Sequence, residues 1–273
     1  MLHNIIYTFN ALFLVDLKYT YNKYSDMRIA IVGSACQGKT TLVNDIVKTW
    51  PAYKAHESGY RNAVRKKKLP INKETNKKTQ KTILKELIKD LNSYKEGDKV
   101  IFDRCPLDNI VYSLWAEEKG TSDIDGDFIK ECIPLVQESM HKLDIIFYLP
   151  ITKAAPVIPI PRENREVDYN FTNEIDNIFK VLSHQYFRTG ASPFFPKEDR
   201  PPIIEIFGTP EERIEMIRLY LDDHGDLVND ENSVLNTENL DLIEKLLRDQ
   251  QEIKIEDEEW EKFKGNIIVP PPK

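Results

Sequence analysis

Cysteine is scarce in this chain. Cys36, Cys105 and Cys132 are its only three, and they follow neither a metal-ligand nor a disulfide spacing. That excludes a disulfide scaffold or a cysteine-built metal finger and leads to the expectation of a reducing, cytoplasmic setting. Long apolar runs are missing as well: the stretch from Ile5 to Val15 falls short of the roughly 20 residues that a membrane-spanning helix needs, so no membrane partner is expected. The first residues show neither the basic start nor the small-residue cleavage site of a secretory signal. No internal repeat is visible, which excludes solenoids and propellers.

What is present is ordinary globular composition, 41% hydrophobic and 30% charged over 273 residues, enough for one large domain or one domain with an appendage. Residues 1–26 read as an N-terminal extension or as the product of a misassigned start, with "MRIAIVGSACQGKTT" beginning at Met27. Charge is segregated. Residues 222–273 hold 15 acids against 6 bases, a net −9, which leaves +2 on residues 1–221. Within that body, residues 61–85 hold ten Lys and Arg against the single acid Glu74. The expected division is an extension (1–26), a nucleotide-binding domain (27–221) and an acidic, partly disordered tail (222–273).

Short β-branched runs mark four buried strands: "RIAIV" (28–32), "KVIFD" (99–103), "DIIFYLP" (144–150) and "PIIEIFG" (202–208), with "YKAH" as a shorter fifth. Helical spacing fills the intervals, notably after residue 39 and over 75–95, 173–188 and 210–221. Strands alternating with helices of this length predict an α/β fold, a Rossmann-like P-loop NTPase core in three layers, with a parallel sheet covered by helices on both faces. Residues 151–168, rich in proline and carrying Arg162 and Arg165, read as a long exposed loop of the kind that serves as a lid.

The strongest motif is "GSACQGKT" (33–40), Gly-x4-Gly-Lys-Thr, set between a buried strand and a helix, and it points to a nucleoside triphosphate and no further. Backbone N–H groups from Ser34 to Thr41 can wrap a phosphate at the positive end of the helix dipole. Lys39 would bridge the β- and γ-phosphates of ATP, and the Thr40 hydroxyl would hold Mg²⁺. Asp103 ends its strand beside this loop, where a carboxylate for Mg²⁺ is needed. A motor or switch ATPase would place Glu next to that Asp to polarise water; here Arg104 follows. A fixed cation there suits transfer of a phosphoryl group better than activation of water. Glu57, in "HESGYR" after the short strand, stands where a carboxylate can take a proton from an acceptor hydroxyl. Asp108 and Asn109 read as caps of the next helix.

In order along the chain come the P-loop, Glu57-x-x-x-Arg61, Gln80 on a helix, "DRCPLDNIVY" (103–112), the arginine-bearing loop and "GTPEER" (208–213). Together they resemble the nicotinamide-riboside-kinase-like and thymidylate-kinase-like AAA domains, relatives of deoxynucleoside kinases, over residues 27–221. The resemblance implies an ATP- and Mg²⁺-dependent phosphotransferase. It implies that Gly33, Ser34, Ala35, Cys36, Gln37, Gly38, Lys39, Thr40 and Thr41 hold ATP, with Gly208, Thr209 and Pro210 along the adenine. It implies acceptor contacts from Glu57, Arg61, Gln80 and Arg104, a Mg²⁺–phosphate role for Asp103 with Arg104, and a lid arginine. The lid reads "RENR" rather than the usual Asp-Gly-x-Arg-like turn, which leaves Arg165 and Arg162 both open for that role. The first reading is therefore a kinase for a nucleoside or nucleotide. A second keeps the chemistry but takes a hydroxymethylated pyrimidine in DNA, held through the basic segment 61–85. A third is a non-kinase P-loop ATPase or nucleotide-dependent regulatory module. The oligomeric state has no signature in the sequence.

Overall fold

The computed structural model describes residues 27–56, 58–95, 97–152, 168–189, 192–196 and 200–228. Glu57, Arg162 and Arg165, the extension 1–26 and the tail beyond residue 228 lie outside the described residues. Five strands, β1 (Arg28–Val32), β2 (Lys54–His56), β3 (Val100–Asp103), β4 (Ile145–Tyr148) and β5 (Ile203–Glu205), form one sheet in the order β2-β3-β1-β4-β5. Every pairing is parallel. The seven α-helices among the described residues are α1 (Lys39–Thr49), α2 (Tyr60–Lys66), α3 (Lys77–Asn92), α4 (Pro106–Lys119), α5 (Gly126–Met140), α6 (Tyr169–Thr189) and α7 (Pro210–Ile217). The expected α/β P-loop core is therefore the observed one. No helix among the described residues is long and apolar enough to cross a membrane.

The strand sequences explain the two layers of helices. Side chains alternate across a strand, so Ile29 and Ile31 enter one core with α1 and α7, while Ala30 and Val32 enter the other with α3 to α6. β4 divides in the same way: Ile145 and Phe147 face the first core, Ile146 and Tyr148 the second. All eight are fully buried, which is why these strands read as unbroken apolar runs.

α3 begins where Asn76 caps it, its side chain accepting from the Thr79 N–H. Leu84 and Leu91 fill the core from this helix, whereas Ile83 and the buried Leu87 line the cleft described below. α7 stops at Ile217, short of residue 221. The chain then turns through residues 222–228 and pairs Leu221 with Leu227. That turn is tied down: Trp50 Nε1 donates to the Asp222 carbonyl at 2.6 Å and Tyr53 Oη to the Gly225 carbonyl at 2.7 Å. Both anchors precede β2, at the end of the sheet opposite the carboxyl ends of the strands.

Candidate active site

β1 and β3 are adjacent, with Ile31 opposite Asp103, and the Arg104 N–H donates to the Ile31 carbonyl at 3.0 Å. The two sequence signals, the loop after β1 and the acid ending β3, are thereby placed side by side at the carboxyl ends of parallel strands, where open α/β sheets bind ligands. The loop needs its first glycine for space as well as for φ. Gly33 has φ +141°, and a Cβ there would come within 2.8 Å of the Leu149 carbonyl oxygen.

Lys39 is buried, and its Nζ donates to the carbonyls of Gly33 at 2.8 Å and Ser34 at 2.6 Å. Burial, helped by the nearby Arg104 cation, pulls its pKa down to about 7. Thr40 Oγ1 donates to Asp103 Oδ2 at 2.6 Å. Burial alone would raise the Asp103 carboxyl, but the Lys39 and Arg104 cations and the Thr40 hydroxyl outweigh it and hold the group below the usual carboxylate range.

Arg104 has φ +92°, a left-handed conformation that costs a non-glycine residue energy. Its guanidinium is locked by Asp108, with Nη1 donating to Oδ1 at 3.0 Å, and lies over the rings of Tyr112 at 5.5 Å and Tyr60 at 6.0 Å. The second Asp108 oxygen accepts from the Cys105 N–H, so Asp108 does cap α4 and also braces Arg104. Asn109 does not cap. Its amide donates to Gln80 twice, to the backbone carbonyl at 2.9 Å and to Oε1 at 2.6 Å, while Gln80 Nε2 donates to Thr75 Oγ1 at 2.8 Å.

These groups surround a cleft of about 760 Å³. Residues 35–41, Asp103 and Arg104 form its polar half. Val64, Leu69, Ile83, Leu87 and Phe171 form an apolar half, with the buried amides of Gln80 and Asn109 among them. Arg61 and Arg65 also line the cleft, and Arg61 Nη2 lies 4.0 Å from Asp103 Oδ2. Gly208, Thr209 and Pro210 do not line it. They start α7, where Thr209 and Glu212 form a reciprocal capping box. The spacing Thr-x-x-Glu carries that signal in the sequence. α7 reaches the phosphate loop through Arg213, the last residue of "GTPEER", to which the sequence assigns no role of its own: its Nη1 donates to the Gln37 carbonyl at 2.8 Å.

A family model described as an AAA domain matches residues 28–190, well over half of the chain. The chain belongs to that family. Deoxyadenosine kinase from M. mycoides, solved with dCMP and dCDP, superposes on this AAA domain chain with a TM-score of 0.50 at 18% identity, covering 70% of this chain and 96% of its own. Thymidylate kinase from Candida albicans gives a TM-score of 0.50 at 13% identity, covering 75% of this chain and 96% of its own. At these identities the likeness establishes the shared fold. A search of curated proteins gave no match.

The fit of the site to nucleotide and Mg²⁺ is visible in its unpaired polar atoms. Ser34 Oγ, Gln37 Oε1, Asp103 Oδ1 and Arg104 Nε are buried without a hydrogen-bond partner among the described residues, and such atoms are costly unless something else satisfies them. Asp103 offers a free carboxylate oxygen beside the Thr40 hydroxyl, a donor set of the hard-oxygen type that Mg²⁺ takes together with phosphate and water.

Proposed function

We propose that this chain is an ATP-dependent kinase that moves the γ-phosphoryl group to a hydroxyl or phosphate oxygen of a nucleoside-type acceptor. The observation that carries the reading is the two-part cleft: a phosphate cradle with Lys39, Asp103 and Arg104 opens directly onto an apolar slot containing two buried amides. A hydrolase needs room for water, whereas this slot suits a flat, partly polar ring.

In this account the residues from Ser34 to Thr41 hold the phosphates through backbone N–H groups, and Lys39 leaves its two carbonyls to meet the β- and γ-phosphates. Thr40 and Asp103 would hold Mg²⁺, which supplies charge neutralisation on the phosphate oxygens when bound. The acceptor oxygen forms a bond to the γ-phosphorus as the bond to the β,γ-bridging oxygen breaks, and ADP leaves with that electron pair. Glu57, next in sequence to β2, is the carboxylate assigned to a hydroxyl acceptor's proton, with Asp103 the alternative. Arg104, fixed by Asp108 and the two tyrosines, stabilises charge on the transferring group. Arg165 or Arg162 is assigned the second cation. Gln80, Asn109 and Arg61 orient the acceptor, and Gly208, Thr209 and Pro210 are assigned to the adenine end.

A nucleic-acid acceptor is favoured by one specific observation. Arg65, Lys66, Lys67 and Lys68 are exposed with no ion-pair partner among the described residues, and Arg65 lines the cleft. Elsewhere in the basic segment, Lys73 pairs with Asp168, Lys77 with Asp125 and Lys81 with Glu131, and Lys78 and Lys85 stand singly on α3, so the longest uncompensated run is the one at the end of α2, which reaches the cleft through Arg65. The experiment is transfer of labelled γ-phosphate from ATP to a panel of nucleosides, nucleoside monophosphates, and plain and hydroxymethylated DNA, at low and high salt. Label on a small acceptor, insensitive to salt, supports the first reading. Label on DNA, lost steeply as salt rises, supports the second, and free phosphate alone overturns both.

A further inference from the structure

We infer that Arg213 is the positioning residue of the phosphate loop: by holding the Gln37 carbonyl it aims the Gly38 N–H at the nucleotide's phosphates. The inference rests on the nucleotide site proposed above and assigns that site a residue on α7, 176 positions from its partner.

Three observations carry it. The first is the peptide itself. The Gln37–Gly38 bond is trans, and in a planar trans peptide C=O and N–H point in opposite directions. Fixing the carbonyl on Arg213 therefore fixes the Gly38 N–H on the other side. Gly38 lines the cleft, and no acceptor among the described residues takes its N–H.

The second is steric. Gly38 has φ +80°, and a Cβ there would lie 3.1 Å from Arg213 Nη1, so the guanidinium lies across the glycine and fills the space that a side chain would take. The loop's second glycine thus serves the clamp as well as the turn.

The third is charge. Arg213 is only 7% exposed, and among the described residues no carboxylate lies within ion-pair distance and its Nε has no partner. Burial accordingly lowers its pKa. A structural clamp would be cheaper with a neutral donor or a paired cation, because a buried unpaired charge is costly. An anion held in the adjacent loop offsets that cost, and the polyphosphate of a nucleotide is such an anion.

ADP is the probe, read by direct titration and by the ADP-dependent rise in Tm of wild type, Arg213→Met and Arg213→Lys. Loss of a charge-assisted hydrogen bond predicts that Arg213→Met weakens ADP on the order of tenfold to a hundredfold and shrinks the ADP-dependent rise in Tm. Arg213→Lys, which keeps the charge and one donor, recovers part of that loss, and acceptor KM is unchanged in both. A residue that only packs α7 would instead lower the ligand-free Tm and leave ADP affinity alone. Where Arg213→Met does not fold, Arg213→Gln carries the same test, and wild-type ADP affinity in either folded variant overturns the inference. A wild-type protein that shows no ADP-dependent rise in Tm would overturn the nucleotide site itself, which is a separate result.

Discussion

Thr40 Oγ1 and Asp103 Oδ2 lie 2.6 Å apart, joining the first turn of α1 to the last residue of β3 across 63 positions of sequence. The contact leaves Asp103 Oδ1 buried and, among the described residues, unpaired, so the carboxylate has one oxygen committed to the fold and one available to a cation. Asp103→Asn keeps the Thr40 contact and removes the charge. It is expected to lower kcat by about a hundredfold or more and to raise the Mg²⁺ concentration needed for half-maximal rate. A Mg²⁺ titration of both proteins checks this, and an unchanged half-maximal concentration would remove Asp103 from the metal site.

Lys39 makes a second prediction, about protons. Its pKa is about 7 in the free protein, and a phosphate partner raises the pKa of a lysine. Nucleotide binding above pH 7 should therefore take up a proton, and ADP affinity should fall as pH rises through the range above about 7. Below pH 7 the lysine is already charged and the uptake vanishes. The same shift sets a stability slope. Between about 7 and the ordinary lysine value of 10.5 the unfolded chain binds the extra proton, so the free protein becomes more stable as pH rises. Calorimetry at pH 8 in two buffers of different ionisation enthalpy measures the uptake, and Lys39→Met should abolish it.

The amide pair Gln80–Asn109 predicts where acceptor specificity resides. Asn109→Ala leaves Gln80 Oε1 without its donor and frees the amide to turn. Acceptor KM should rise about tenfold or more, with ATP KM unchanged. Asn109→Asp should be worse, because a carboxylate would face the two Gln80 oxygens that now accept from Asn109. Equal effects on ATP and acceptor KM would mean that the pair only supports the fold.

Gly225 separates stability from activity. Its φ is +76°, and a Cβ would come within 2.6 Å of the buried Tyr53 ring. Gly225→Ala should cost about 1–3 kcal/mol, seen as a lower Tm, while kcat and both KM values stay at wild type, since the turn lies at the end of the sheet away from the cleft.

Much of this architecture was legible in the sequence because its signals are local. The strands are unbroken apolar runs since both sheet faces are covered, and "GSACQGKT" carries its own context in the strand before it and the helix after it. Asp103 and Arg104 could be placed because a strand's last residue opens onto the crevice. What escaped depends on contacts far apart in the chain. Arg213 reads as one more charge on a short amphipathic helix, and only the packing of α7 beside the loop reveals its partner. Asn109 stands where a cap would stand, yet its partner is Gln80, 29 residues earlier on another helix. α5 contains Pro134, a residue that ordinarily ends a helix, so its pattern is muted. Residues 222–228 belong to an acidic stretch by composition, but Leu227 and the Trp50 and Tyr53 contacts tie them to the core.

In the proposed function the phosphoryl group goes to an acceptor and not to water. The most direct measurement is ADP release with and without the acceptor that takes up label, alongside a count of phosphorylated acceptor. A kinase gives slow release alone, a sharp rise on adding the acceptor, and one phosphorylated acceptor for each ADP. Release at the same rate without the acceptor, matched by free phosphate, would contradict the proposed function.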